Sequence, residues 1–257
     1  MNTAAYLSRL AYAGPTTPDA PTLAALHLAH LRAIPFENLD IHRQRPIRLD
    51  PESLYDKIVR QRRGGFCYEL NGLFAWLLTE LGFTVTLLSA RVYNGAGDLG
   101  PEFDHLTLLV QLAEPWLADV GFGDSFLEPL RLQAGEEQAQ ANGRYRLTPL
   151  DDTHWLLARE QSGQDWAPQY RFSTHTRQLA DFAEMCRYHQ TSPDSHFTRQ
   201  RLCSRATAEG RITLTDARLI VTNNGRRQET ARSIFTVWMW ATAPCARRCR
   251  RWATMSS

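Results

Sequence analysis

Apolar side chains recur along the first third of the chain at three- and four-residue steps, the period at which an α-helix buries one face. Residues 19–33 carry Leu23, Leu26, Leu28 and Leu31 between polar positions, with His27 and His30 read as solvated positions of the same helix. Pro35 ends this helix within Ile34-Pro35-Phe36-Glu37-Asn38-Leu39. Asp50-Pro51-Glu52-Ser53 reads as a helix start, with a side-chain acceptor ahead of a proline, and predicts a helix running to about Gln61. A further helix follows Gly64-Gly65. Its Leu70, Leu73, Phe74, Leu77, Leu78 and Leu81 share one face, and Gly82 closes it.

From Phe83 the pattern changes. Segments 83–93, 103–113, 115–120, 128–133, 143–148, 154–159 and 167–173 read as short strands separated by Gly, Pro, Asn or Asp. A short helix follows at 177–187, then a hairpin over 211–227 with Asn223-Asn224-Gly225 after its second strand. Many short strands in succession predict an antiparallel barrel or sandwich. The chain thus reads as an α+β protein in three parts: helical residues 1–82, β residues 83–190 and a C-terminal part, 191–257.

Composition narrows the function only a little. The 257 residues are 43% apolar and 22% charged, ordinary for a globular protein, and a net charge of +2 gives no reason to expect nucleic acid or an anionic membrane as partner. No apolar run approaches the roughly 20 residues that span a bilayer. Residues 1–10 lack the charged start and apolar core of a secretory signal. Five cysteines, an odd number without framework spacing, point to a reduced, cytoplasmic setting. Lys57 is the only lysine, a skew that reads as coding bias rather than function. After Glu229 no acidic residue occurs; the tail mixes Arg, Trp, Cys and Ala as a GC-rich gene does out of frame. A frameshifted C-terminus is the expectation, a basic interaction tail the rival. Cys245-x-x-x-Cys249 lacks a second pair at zinc spacing, so no metal site is expected.

One thiol has a special context. Cys67 stands in the first turn of its helix, after Arg62-Arg63-Gly64-Gly65-Phe66 and before Glu69 and Asn71. A thiol attacks only as thiolate, and a free pKa of about 8.5 leaves little of it ionised at neutral pH. A helix N-terminus and an imidazole are the usual remedies. The preceding glycines would let a substrate carbonyl approach the sulfur. His105 opens an apolar strand after Phe103-Asp104, and Asp119 ends the next in Trp116-Leu117-Ala118-Asp119-Val120-Gly121-Phe122-Gly123. A short turn joins the two strands, so the acid can reach the imidazole and orient it through Nδ1. A small buried cysteine, a structural histidine and a turn aspartate are the bland alternatives.

Taken together, Ile34 to Leu39, Arg63-Gly64-Gly65-Phe66-Cys67-Tyr68-Glu69-Leu70-Asn71, Asp104-His105-Leu106, Asp119-Val120-Gly121-Phe122-Gly123 and Thr191-Ser192-Pro193-Asp194-Ser195-His196-Phe197 resemble the arylamine N-acetyltransferase family over roughly residues 5–225. The resemblance implies a helical bundle and β-barrel like a cysteine-protease core, with a C-terminal α/β lid. It implies transfer from acetyl-CoA, as co-substrate, through an acetyl-cysteine to an arylamine, arylhydrazine or N-hydroxyarylamine. Cys67 would accept the acyl group, His105 act as base and Asp119 orient it. Phe36, Phe122, Asp124 and Phe126 would line the acceptor pocket, and Gly123, Ser125 and Phe197 would touch CoA. Glu37 and Arg63 would form a structural ion pair, and Asn71 would support the triad. Pro101 and Glu102 depart from the small residues some relatives use near CoA. An amide synthase of the same fold, a thiol hydrolase and a binding protein without activity are the competing readings.

Overall fold

The computed structural model describes residues 1–162 and 165–231. Helix α1 (Thr3–Leu10) is capped by Asn2, and α2 (Ala20–Ala33) by Asp19, whose carboxylate accepts the Thr22 N–H at 2.8 Å ahead of a proline in the first turn. Strand β1 (Phe36–Glu37) and α3 (Leu39–His42) follow Pro35. Helix α4 (Pro51–Tyr55), capped by Asp50, continues as a π-helical turn over Asp56–Arg60 rather than as regular helix. That wider turn includes Lys57, which is buried.

Helix α5 (Cys67–Glu80) buries almost its whole circumference rather than one face. It is the central helix, packed against α1, α4 and the first two barrel strands. Such a position demands a helix apolar nearly all round.

The barrel comprises β2 (Thr84–Val92), β3 (His105–Gln111), β4 (Pro115–Ala118), β5 (Leu130–Arg131), β6 (Glu137–Gln140), β7 (Gly143–Pro149), β8 (His154–Ser162) and β9 (Asp165–Ser173). All pairings are antiparallel, in the order β5-β4-β3-β2-β9-β8-β7-β6. The seam between β5 and β6 is bridged by Gln138. Its Oε1 accepts the Arg131 N–H at 2.8 Å and its Nε2 donates to the Arg131 carbonyl at 2.9 Å, leaving the barrel nearly closed. Tyr145, Leu147, Leu157, Tyr170 and Phe172 fill its interior. The segment 128–133 contributes only two strand residues. Strand β6, Glu-Gln-Ala-Gln, escapes sequence reading because no large apolar residue marks it.

A 3₁₀ turn (Leu179–Phe182), α6 (Ala183–Thr191) and α7 (His196–Arg199) lead to a second sheet of β10 (Leu202–Ala206), β11 (Gly210–Thr215), β12 (Arg218–Asn223) and β13 (Arg226–Ala231). Its order is β1-β10-β11-β12-β13. The hairpin seen in sequence therefore belongs to a five-stranded sheet whose first strand comes from the helical part, with Phe36 opposite Ser204. Asn38 secures that junction: it accepts the Leu202 N–H at 2.8 Å and donates to the carbonyls of Phe197 and Gln200 at 2.9 and 2.8 Å. The tail expectations, Cys245 and Cys249 included, lie outside the described residues. No helix among the described residues is long and apolar enough to cross a membrane.

Candidate active site

Cys67, His105 and Asp119 come from three different elements and are all buried, at 3%, 3% and 2% exposure. Strands β3 and β4 pair with Leu108 opposite Ala118, so the chain leaving β4 carries Asp119 back toward the start of β3. Asp119 Oδ2 accepts from His105 Nε2 at 2.7 Å. The sequence expectation of contact is met, but through Nε2 and not Nδ1. The strand register brings the far nitrogen to the acid and leaves Nδ1 outside that bond. Asp119 Oδ1 accepts from Asn71 Nδ2 at 2.8 Å and from the Gly121 N–H at 2.9 Å. Burial works to raise the Asp119 carboxyl, but His105, Asn71 and Gly121 together bring it below its ordinary value.

Gly121 fixes the sulfur's neighbourhood. A Cβ there would stand 2.8 Å from both Cα and the carbonyl oxygen of Cys67, so only glycine lets the segment after Asp119 lie against the start of α5. Burial, together with the charges of Asp104 and Asp119 and the neighbouring Cys186, pushes the Cys67 thiol well up; the N–H of Tyr68 opposes this. Attack by the sulfur therefore calls for a base that takes its proton. Tyr68 donates to the carbonyls of Phe103 and Asp104 at 2.8 and 3.1 Å, tying the first turn of α5 to the residues just before His105.

The Gly64-Gly65 pair is required by packing. A Cβ at Gly64 would lie 2.0 Å from the Pro35 carbonyl oxygen, and one at Gly65 2.8 Å from Glu69 Cβ. These contacts seat a buried charge cluster. Arg63 donates to Glu37 at 2.7 Å and to Asp40 at 2.5 Å, while Lys57 Nζ meets Asp40 at 2.9 Å and Glu69 at 2.7 Å. Glu69 also accepts the Phe66 N–H at 3.1 Å, which caps the helix that carries Cys67. The family resemblance implies the Glu37–Arg63 pair; Lys57 and Asp40 are members of the cluster that the sequence reading misses.

The remaining predicted contacts separate. Phe122 is half-buried, its ring edge-on to His105 with centroids 5.4 Å apart. Phe36 packs on Phe197 at 6.1 Å, and Gly123 lies over the Phe36 ring. Phe126, at 1% exposure, packs between His27 and Tyr145 in the barrel core. The Ser125 hydroxyl donates to Gln169 at 2.7 Å and is buried, while Asp124 is exposed and pairs with Arg211 at 3.1 Å and Arg159 at 3.7 Å. Glu102 is exposed beside Arg91 at 3.5 Å.

The two histidines read as solvated are inside, and so is His189. His27 and His30 are fully buried, and His189 sits between Ser195, 3.0 Å from Nδ1, and Asp104, 3.2 Å from Nε2. The positions 23, 26, 27, 30 and 31 form one stripe of α2, so the spacing of His27 and His30 among leucines was the signal that they face the core. Among the described residues no cluster of His, Cys, Asp and Glu is set to hold a metal, and Cys67, Cys186 and Cys203 are free thiols.

Comparison with known proteins gives the family and the fold. The N-acetyltransferase family profile matches residues 19–237. The chain is 39% identical to the arylamine N-acetyltransferase of Escherichia coli over 227 residues, 87% of this chain and 80% of that one. The solved arylamine N-acetyltransferase of Salmonella typhimurium superposes with a TM-score of 0.86 at 35% identity, over 93% of this chain and 88% of the other. The Mycobacterium marinum arylamine N-acetyltransferase in complex with CoA gives 0.86 at 32% identity, over 95% and 92%. Fold and comparisons together define an acyltransferase. Within that class the chain belongs to the arylamine N-acetyltransferase family.

Proposed function

We propose that this protein transfers the acetyl group of acetyl-CoA through an acetyl-cysteine at Cys67 to an arylamine, arylhydrazine or N-hydroxyarylamine. The support that carries the reading is the His105–Asp119 pair, its acid held by two further donors, together with a buried helix-start cysteine whose backbone lies against Gly121, two positions after that acid. The M. marinum relative bound to CoA supports the choice of donor.

The chemistry follows from proton bookkeeping. His105 Nδ1 takes the Cys67 proton as the sulfur attacks the thioester carbonyl. Asp119 on Nε2 keeps the imidazole oriented and balances its new charge. The carbon–sulfur bond to CoA breaks, and the departing thiolate takes the proton from His105. An amine then attacks the acetyl-cysteine and returns its surplus proton through His105, which restores the Cys67 thiol. Burial shields the acetyl-cysteine from water, and Phe122 and Phe36 offer flat apolar faces to an aromatic ring. Of the proposed CoA contacts, Gly123 is half-buried beside Phe36, the Ser125 hydroxyl is taken up by Gln169, and Phe197 is buried against Phe36 and Phe66. The three-part division of the chain is proposed with it, Asn38 and β1 joining the C-terminal sheet to the helical part.

The test is release of free CoA from acetyl-CoA with and without an arylamine. Amine-dependent release that disappears in Cys67→Ser is expected. Rapid release without amine would assign a hydrolase, and no release from folded protein would assign a binding role.

A further inference from the structure

We propose that His27 is a positioning residue of the acyl-transfer site, a neutral imidazole that clips together both ends of the segment 119–127 and so sets Asp119 under His105. The inference rests on the reading of Cys67, His105 and Asp119 given above.

His27 lies on α2, far from the thiol in sequence, yet its ring is fully buried against that segment. Nδ1 stands 2.8 Å from the Leu127 carbonyl oxygen, and Nε2 accepts the Asp119 N–H at 3.1 Å. The partners fix the tautomer. A carbonyl only accepts and a peptide N–H only donates, so the proton must be on Nδ1 and Nε2 must be bare. An imidazolium would set one N–H against another. Phe126 stacks on the ring at 5.6 Å and 15°, and Phe74 of α5 meets it edge-on at 6.2 Å, which leaves the imidazole no second place to go.

The segment so clipped carries the site. Asp119 is its first residue, Gly121 abuts Cys67, Phe122 packs on His105 and Gly123 covers Phe36. Asn71 on α5 holds the Asp119 carboxylate and the Val120 N–H, at 2.8 Å each. His27 holds the peptide from the opposite side. The clip touches neither substrate nor thiol; it acts through the carboxylate it places. The titratable and charged groups around it are the Asp119 carboxylate, His30 on the next turn of α2 and, beyond His30, Arg9 of α1. Burial lowers His27 to about 4, so the neutral form persists through weakly acidic conditions.

Two variants test this: His27→Leu, which removes donor and acceptor, and His27→Gln, which keeps one of each. The readouts are the pH dependence of Cys67 alkylation by iodoacetamide, which needs no acetyl-CoA, and the kcat and KM of amine acetylation. In His27→Leu the alkylation midpoint should rise and kcat should fall about 10- to 100-fold, with KM changed by less than about threefold. His27→Gln should recover most of both. A lowered Tm in His27→Leu with the alkylation midpoint and kcat unchanged would overturn the proposal and leave the Cys67 reading standing. Failure of that reading shows separately, as wild-type protein without acetyl transfer and an alkylation midpoint indifferent to Asp119→Asn. Where the leucine variant does not fold, long-range proton–nitrogen NMR of wild-type protein decides. The Nδ1–H tautomer is expected across roughly pH 5–8; an Nε2–H tautomer or an imidazolium contradicts the clip.

Discussion

Two sets of buried charges flank the start of α5, and they are satisfied in opposite ways. On one side Glu37, Asp40 and Glu69 interleave with Lys57 and Arg63, each cation meeting two carboxylates. On the other a single carboxylate, Asp119, meets a single imidazole, His105. In the first set the cations and anions hold one another in place. Burial tends to discharge Lys57, but Glu69, Glu37 and Asp40 raise it above its ordinary value. In the second set the neutral donors Asn71 and Gly121 hold the Asp119 carboxylate, and the second nitrogen of His105 is the one proposed to take the thiol proton. Dense pairing makes a foundation for the helix start; sparse pairing leaves the second set with few partners.

The comparison breaks most sharply at the thiol. Cys67→Ser should reduce amine-dependent CoA release by at least about 10³-fold while leaving the unfolding midpoint nearly unchanged, because an activated thiol and not a hydroxyl is required. Asp119→Asn comes next. It keeps shape but removes the charge that supports imidazolium, and kcat should drop about 10²- to 10⁴-fold in steady-state assays. Lys57→Met should do the reverse. It leaves three buried carboxylates with one cation and should lower folding stability by about 3–5 kcal/mol in urea titration, with the pH–rate profile of the surviving enzyme unmoved.

The smallest effect lies in the pH dependence of stability. Cys186 is pushed up to about 12 by burial, against about 8.5 in an unfolded chain. Its contribution is full below the unfolded value and is lost as pH rises from there toward 12, so Cys186→Ala should flatten the alkaline limb of a Tm–pH curve. Asp119, held below its ordinary value, has the opposite sign. Its contribution is present above about pH 3.9 and disappears as acid brings the pH through the lower folded value.

Sequence singled out Cys67, His105 and Asp119 because they sit in local contexts that carry their own signals: a helix start, a strand start and a strand end. The α+β class and most barrel strands followed from the change in apolar period at Phe83. What stayed hidden depends on distant partners. Strand β1 is two residues long and pairs with β10 more than 160 residues away, so nothing local announces it. Strand β13 is polar and exposed along its length, an edge without alternation. His27 read as solvent-facing because single-residue polarity outweighed its place among buried leucines. Phe126 read as pocket lining, yet barrel closure places it in the core. The choice between Nδ1 and Nε2 of His105 depends on strand register, which composition and spacing do not encode.

Acylation without an acceptor tests the central claim most directly. The protein is mixed with acetyl-CoA alone, quenched, digested and mapped by mass spectrometry, and a second sample is chased with an arylamine before quenching. The account predicts one acetyl group, on Cys67, that disappears on the chase as acetylated amine forms in equal amount. Acetylated amine produced while Cys67 stays unmodified throughout, or an acetyl group carried by another residue, would contradict it.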